Sequence, residues 1–474
     1  MKTRKKTLPF FCLPAIYLLC FTGLHAASEI YFKDTDHQLE VIRINGKNPG
    51  TTILIFGGIH GDEPGGHFAP EILSGIQLAK GNLIIVPRVN FPSIILNRRE
   101  IYGDMNRKFI PQKKPNDPDS EVVELLKNLM KEADVFVNLH DAFGFHRETY
   151  ISSKYNQTQY GQSLIIDSAN FFSTKLNRQI PLAVIGKRIL ERANSQIENK
   201  NHHFGFWDHD SIAKQTKFPE MKKSATYYAL TTYSIPAFGL ETSKELPTLA
   251  HKVRYQLIVL KEIMLEFGLE FTLTEPELRE PLLYWVEFLK NGRDVIRVNG
   301  NTNLRLNPKD TVIITSVFSN YKAGLSADIS RWGSLSDLNK AFVFSSSADI
   351  VIKKNHIEIG KIFLREFKKD SIREIEADVN GVTKTIPNWG KIDIEMGQYF
   401  KIRGTQPRFN GLYFDVRGIS KRTGKKDDSN IEIRPENLLP TYSFNGNGTI
   451  YFVKIYLSNT LAGGFQVEIK PKTR

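Results

Sequence analysis

Between Ile30 and Gly268, short apolar runs alternate with longer stretches in which apolar residues return every third or fourth position. Strands alternating with amphipathic helices predict an α/β layer structure. The runs 52–56, 83–86, 135–139 and 237–240 read as strands. Residues 119–132 read as a helix behind the start signal Asp117-Pro118. A second helix is predicted over 248–267, where Leu249, Val253, Leu257, Leu260, Ile263 and Phe267 share a face before Gly268.

After a charged, proline-bearing link over 274–281 the pattern changes. Six of the seven Asn-Gly dipeptides lie beyond it, starting at Asn291, Asn299, Asn380, Asn410, Asn445 and Asn447. Asn-Gly is the preferred centre of tight hairpins, and the runs 311–314, 356–359, 449–453 and 465–469 read as strands, several of them alternating in the half-buried manner. About 200 residues of this kind exceed one small sandwich, so two all-β modules are expected, with a boundary near Lys368. The expected division is an α/β domain with a mixed sheet flanked by helices over 27–268, a β-sandwich-like domain over 269–367 and a C-terminal all-β domain over 368–474. No internal repeat or low-complexity segment interrupts it.

The N-terminus adds a compartment. Lys2, Arg4, Lys5 and Lys6 precede an apolar run from Leu8 to about Phe21, and the small residues Ala26 and Ala27 follow. This is the layout of a cleaved export signal over 1–26, too short and too proline-broken to span a bilayer, so no integral membrane segment is expected after cleavage. Both cysteines, Cys12 and Cys20, lie inside it. The mature chain therefore has no thiol, which excludes cysteine catalysis, disulfides and zinc-thiolate sites. Its net charge of +13 falls to +9 once the four basic residues of the signal are gone. That sign favours an anionic partner. Nucleic acid does not fit an exported protein, whereas a cell-wall peptide with free carboxylates does.

The chemistry gathers at strand ends. Strand 52–56 runs into Gly57-Gly58-Ile59-His60-Gly61-Asp62-Glu63, and strand 135–139 delivers His140 to the same edge. In an open α/β sheet ligands collect at the carboxyl ends of the strands. Two histidines and a glutamate leave one position open for water, the pattern of one catalytic Zn2+ held by His60, Glu63 and His140. Strand 237–240 ends at Glu241, the expected general base that later serves as acid. Arg98-Arg99 and Asp104-Met105-Asn106-Arg107 follow the second strand. Arginine grips carboxylates bidentately, so Arg107 with Asn106 is expected to hold a terminal carboxylate while Arg99 faces the scissile carbonyl.

In this order, His60-x-x-Glu63, Arg99, Asn106-Arg107, His140 and Glu241 resemble the zinc carboxypeptidases of the carboxypeptidase A superfamily and their aspartoacylase-like relatives, over roughly residues 30 to 268. The short interval from Glu63 to His140 is closer to the aspartoacylase-like branch. With an export signal and two β modules added, the chain looks like the peptidoglycan DL-carboxypeptidases that set helical cell shape in curved Gram-negative bacteria. That resemblance implies a three-domain periplasmic enzyme that removes the terminal meso-diaminopimelate from a murein tripeptide, leaving a dipeptide. The β domains would then meet cell-wall or protein partners. Two other readings use the same residues: a zinc deacylase of small N-acyl amino acids, which an export signal disfavours, and a non-catalytic wall-binding scaffold, which an intact ligand set disfavours. Asp141 is open to an orienting role beside His140. Tyr160, Tyr227, Tyr228 and Tyr233 are candidates to face substrate, and the segment 201–209, rich in histidine and aromatics, is a candidate cleft wall.

Overall fold

The structure is a computed structural model that describes residues 27–110, 117–274, 278–330, 332, 334–366, 372–416, 418–419, 427–444, 447–457 and 460–472. The expected signal, the Lys368 boundary and Asn445 lie outside these residues. Among the described residues no helix is long and apolar enough to cross a membrane.

A nine-stranded mixed sheet organises the first half. Its order is Ala27–Tyr31, Leu39–Asn45, Gln77–Val86, Asn48–Phe56, Val135–Ala142, Ala237–Ser243, Ser163–Ile166 and Gly205–Asp208, with Glu270–Thr272 also pairing to Gln77–Val86. The four central strands are parallel to one another. They read as near-continuous apolar runs because helices cover both faces. Ile53, Leu54, Ile55, Phe56, Val137 and Leu139 are all fully buried in the core. Each such side chain contributes roughly 1.5–3 kcal/mol relative to exposure.

The helix signals act as predicted. Asp117 caps Pro118–Glu132 by accepting from Ser120 N–H, and Thr248 caps Leu249–Glu266 by accepting from His251 N–H. Gly268 follows the second helix at φ 78°, a conformation that favours glycine. The strand predicted to stop at Leu240 instead continues to Ser243, and the one predicted to stop at Leu139 continues to Ala142. His140 and Glu241 are thus rungs of the sheet, opposite each other in register.

All-β sheets follow. Leu283–Lys290, Asp294–Val298, Thr311–Ser319 and Ala341–Val343 form one sheet, and Thr302–Leu306, Leu325–Ile329, Ala348–Lys354 and Ile357–Glu366 another; Val286, Phe288, Ile314, Ile350 and Leu364 pack in one shared apolar cluster. A second cluster around Ile375, Phe400, Val453 and Phe465 fills the C-terminal sheets. The Asn-Gly signals divide. Asn291-Gly292 and Asn380-Gly381, all at positive φ, turn true hairpins. Asn299-Gly300 and Asn410-Gly411 carry the chain from one sheet to another, because the strands flanking them belong to different sheets.

The first β unit is pinned to the α/β unit by polar contacts. Lys354, wholly buried, binds Glu71, which also accepts from Arg88 Nη1 at 2.9 Å. Asn355 Nδ2 lies 3.0 Å from His67 Nδ1 on the helix Pro64–Leu73. Asp36 accepts from Ser334, Leu335 N–H and Lys340.

Candidate metal centre and substrate cleft

The glycines of the 57–63 turn are dictated by close approach. A Cβ on Gly57 would stand 2.2 Å from Gly66 O, and one on Gly61 would stand 2.1 Å from the Ser93 carbonyl carbon. Only a chain without side chains there can fold tightly enough to aim His60 and Glu63 inward. Pro64 then starts the helix Pro64–Leu73 directly behind Glu63, with a φ suited to the first turn.

His60, Glu63 and His140 are all buried, and each offers a ligand atom within 4.8 Å of the others. His60 Nδ1 lies 2.9 Å from Glu63 Oε1, and His140 Nδ1 lies 2.9 Å from Glu63 Oε2. On its outer side His60 Nε2 lies 3.0 Å from Asp104 Oδ1. A proton shared on that side leaves the Nδ1 lone pair facing inward, the usual carboxylate–histidine–metal relay. Glu241 adds a buried Oε2 with no hydrogen-bond partner among the described residues. Three convergent N and O donors beside an orphaned carboxylate oxygen suit a divalent cation.

The electrostatics agree. Burial works against the charged form of Glu63, yet the flanking His60 and His140 hold its pKa well below the usual carboxylate range. Burial opposes a charged His60, but Glu63 and Asp104 raise its pKa, whereas burial keeps that of His140 low. Glu241 is pushed well above the usual range by burial, reinforced by the charges of Glu63 and Asp141. A carboxyl tuned upward beside a water-activating centre is suited to taking and returning a proton.

The flanking arginines occupy the same cleft. Arg99 Nη1 donates to Glu63 Oε1 and its Nη2 to Asp104 Oδ2, both at 3.0 Å. Asn106 Oδ1 accepts from Ala225 N–H at 3.0 Å, at the start of the helix Ala225–Tyr233, and Arg107 Nη1 donates to Asn106 O. The cleft has a volume of about 430 Å3, and all seven residues singled out in the sequence line it: His60, Glu63, Arg99, Asn106, Arg107, His140 and Glu241. Of the four tyrosines only Tyr160 lines the cleft, and of the 201–209 segment only His209.

Asp141 settles into an interior role. It is 1% exposed and accepts from Gly65 N–H at 2.8 Å, from the Thr242 hydroxyl and from Gln256 Nε2, while its own N–H donates to Glu63 Oε2. Burial raises its pKa to about 6. It therefore clamps the first turn behind Glu63. His67 faces Asn355, and His146 stacks on Trp207 at 4.5 Å between ring centres. Asp167 escaped the sequence reading, Asp104 was quoted there without a role, and His209 entered only as the end of the 201–209 segment. Asp104 carried a signal in its place two residues before Asn106; Asp167 and His209 follow short strands that carried almost none.

A mixed-sheet α/β domain in which a His-Glu-His cluster, a buried glutamate and an arginine pair share one cleft has the architecture of a metallocarboxypeptidase. The chain belongs to the Peptidase M99 family, described as carboxypeptidase controlling helical cell shape, catalytic, whose model matches residues 15–282. Among solved structures it is similar to the apo form of the cell shape determinant protein Csd4 from Helicobacter pylori, at 21% identity and a TM-score of 0.59, covering 91% of this chain and 100% of that one. The tripeptide-bound form of the same protein matches at 20% identity, with the same TM-score and coverage. The mDAP-bound form, described as a D,L-carboxypeptidase, matches at 21% identity and a TM-score of 0.57 over 89% of this chain and 97% of that one. These likenesses show a shared fold that includes the β sheets. No curated protein matches significantly.

Proposed function

We propose that this protein is a periplasmic, zinc-dependent DL-carboxypeptidase that removes the terminal meso-diaminopimelate from a murein tripeptide and leaves a dipeptide. The observation that carries this reading is the single cleft in which His60, Glu63 and His140 converge, lined also by Glu241, Arg99, Asn106 and Arg107. Support for the substrate comes from the tripeptide and mDAP forms of the similar Helicobacter pylori protein. Support for export comes from the layout of residues 1–26.

His60, Glu63 and His140 would hold one zinc ion, which supplies Lewis acidity to water and to the scissile carbonyl. Glu241 takes the proton of the attacking water, while Arg99 donates to the oxygen on which negative charge develops. Asn106 and Arg107 hold the carboxylate beside the cleaved bond, which limits cutting to chain ends. Glu241 then returns its proton to the leaving amine. In the same reading the chain comprises a signal peptide over 1–26, a catalytic domain over 27–268 and two β domains over 269–367 and 368–474. The two separate apolar clusters of the β sheets support that division.

The test is product analysis by mass with murein tripeptide, tetrapeptide and an N-acyl amino acid. The native protein is expected to release diaminopimelate from the tripeptide, and a chelator to stop it. Glu241→Gln is expected to lower kcat by about 100-fold or more while still binding zinc. Hydrolysis of the N-acyl amino acid alone would move the protein to the deacylases.

A further inference from the structure

The cleft runs well past the metal ligands. The strand Ser163–Ile166 lies antiparallel to Ala237–Ser243, with Ser163 paired to Glu241 and Ile165 to Gly239. Asp167, just after that strand, is therefore four residues from the Glu241 rung, about 13 Å along an extended chain. Gly239 keeps the passage open: a Cβ there would meet nothing nearer than Ile165, at 3.6 Å. The strand Gly205–Asp208 runs parallel to Ser163–Ile166 with Asp208 opposite Ile166, and His209 N–H donates to Ile166 O at 2.9 Å. Asp167 and His209 thus lie side by side at the far end, where both line the cleft with Thr226.

These two groups are built for a ligand. Asp167 is 3% exposed and forms no ion pair with lysine or arginine among the described residues. Burial raises its carboxyl pKa to about 6, Asp208 adds to the rise, and the Ser211 and Thr226 hydroxyls and Arg107 only partly offset it. A buried carboxylate without a cation is costly and is kept where a cation arrives. His209 is 4% exposed, stacks on Phe218 at 4.3 Å between ring centres, and its Nε2 has no hydrogen-bond partner among the described residues. Arg107 acts electrostatically on both, so the far end is within reach of the group assigned to the terminal carboxylate.

We propose that Asp167 is the counter-ion for an ammonium group at the far end of the side chain of the released residue, with His209 Nε2 facing the carboxylate on the same carbon. The assignment rests on the carboxypeptidase reading above and names what its pocket selects: a C-terminal residue whose side chain ends in an amino group. Ionic pairing inside a water-poor pocket discriminates far more strongly than apolar fit, since a mismatched side chain leaves the carboxylate buried and alone.

The experiment compares tripeptides of one sequence ending in diaminopimelate, lysine or norleucine, with the zinc-loaded native protein and with Asp167→Asn and Asp167→Glu. Calorimetric binding of free diaminopimelate, lysine and norleucine runs beside it. In the native protein kcat/KM for the lysine peptide is expected to exceed that for the norleucine peptide at least about 30-fold. In Asp167→Asn that ratio is expected to fall toward one, and Asp167→Glu to recover part of it. A native ratio near one, or a loss in Asp167→Asn equal for all three peptides, overturns the proposal and leaves the carboxypeptidase reading intact. If no peptide is cut, Asp167-dependent binding of lysine over norleucine upholds the pocket while the reading falls; equal or absent binding overturns both.

Discussion

At the scale of single residues, the cleft contains side chains whose placement costs stability. Asp167 shows the sign of that cost. Its pKa is near 3.9 in an unfolded chain and about 6 in the folded one, through burial and the nearby Asp208, with Arg107 pulling the other way and His209 alongside. The folded state therefore holds this proton to higher pH. Relative stability is greatest below about pH 4 and declines as pH rises to about 6, by up to about 3 kcal/mol. Asp167→Asn is expected to match the native protein at pH 4 and to exceed it in urea denaturation at pH 7.5; equal stability at both pH values would contradict this. The same comparison shows why some residues were legible in the sequence and others were not. His140 and Glu241 directly follow the apolar runs 135–139 and 237–240, and His60 follows the run 52–56 through a glycine-rich turn, so the strand pattern exposes them. Asp167 and His209 follow strands of four residues that the pattern did not single out. What distinguishes them among the described residues, a carboxyl buried without an ion pair to lysine or arginine and an imidazole Nε2 buried without a hydrogen-bond partner, arises only once distant elements close over them.

At the scale of elements, the 57–63 turn fixes the geometry of the metal centre through backbone contact. Gly61 packs against the Ser93 carbonyl so tightly that any Cβ must displace one of the two. Gly61→Ala is expected to cost roughly 1–3 kcal/mol and to weaken metal binding, because His60 and Glu63, two of the three residues that could hold the ion, flank it. Melting temperature and metal content read the two effects, and a variant that retains both would show that the turn can adapt. Long elements with capping signals were plain in the sequence: Pro118–Glu132 and Leu249–Glu266 begin within one residue of their expected starts. Asn-Gly was a weaker guide. It reports a backbone that reverses or bends sharply, and in a stack of sheets a bend serves equally to cross between layers, as at Asn299 and Asn410.

At the scale of the whole molecule, the first β unit does more than follow the catalytic unit. Glu71 binds the fully buried Lys354 and also Arg88, which Glu40 holds on its other side, and it lies on the helix that begins immediately after Glu63. Burial lowers the pKa of Lys354 to about 8 even with Glu71 beside it. Glu71→Gln removes the shared carboxylate from two cations and is expected to destabilise the protein by about 3–5 kcal/mol, read by chemical denaturation; a loss below about 1 kcal/mol would show that solvent already relieves the cluster. Neither partner sequence announced this contact, since a lysine in a hairpin tip and a glutamate on a helix are each ordinary surface residues until packed together.

The pairing of His67 with Asn355 spans 288 positions of the chain. Chains are made from the N-terminus, and N-terminal domains generally fold first. The helix behind Glu63 is therefore synthesised long before the hairpin tip that seats it. Assembly of this hydrolase has a built-in order: the helix behind its cutting centre receives this support only when three-quarters of the polypeptide already exists, so a product terminated before Asn355 lacks that support however complete its catalytic residues are.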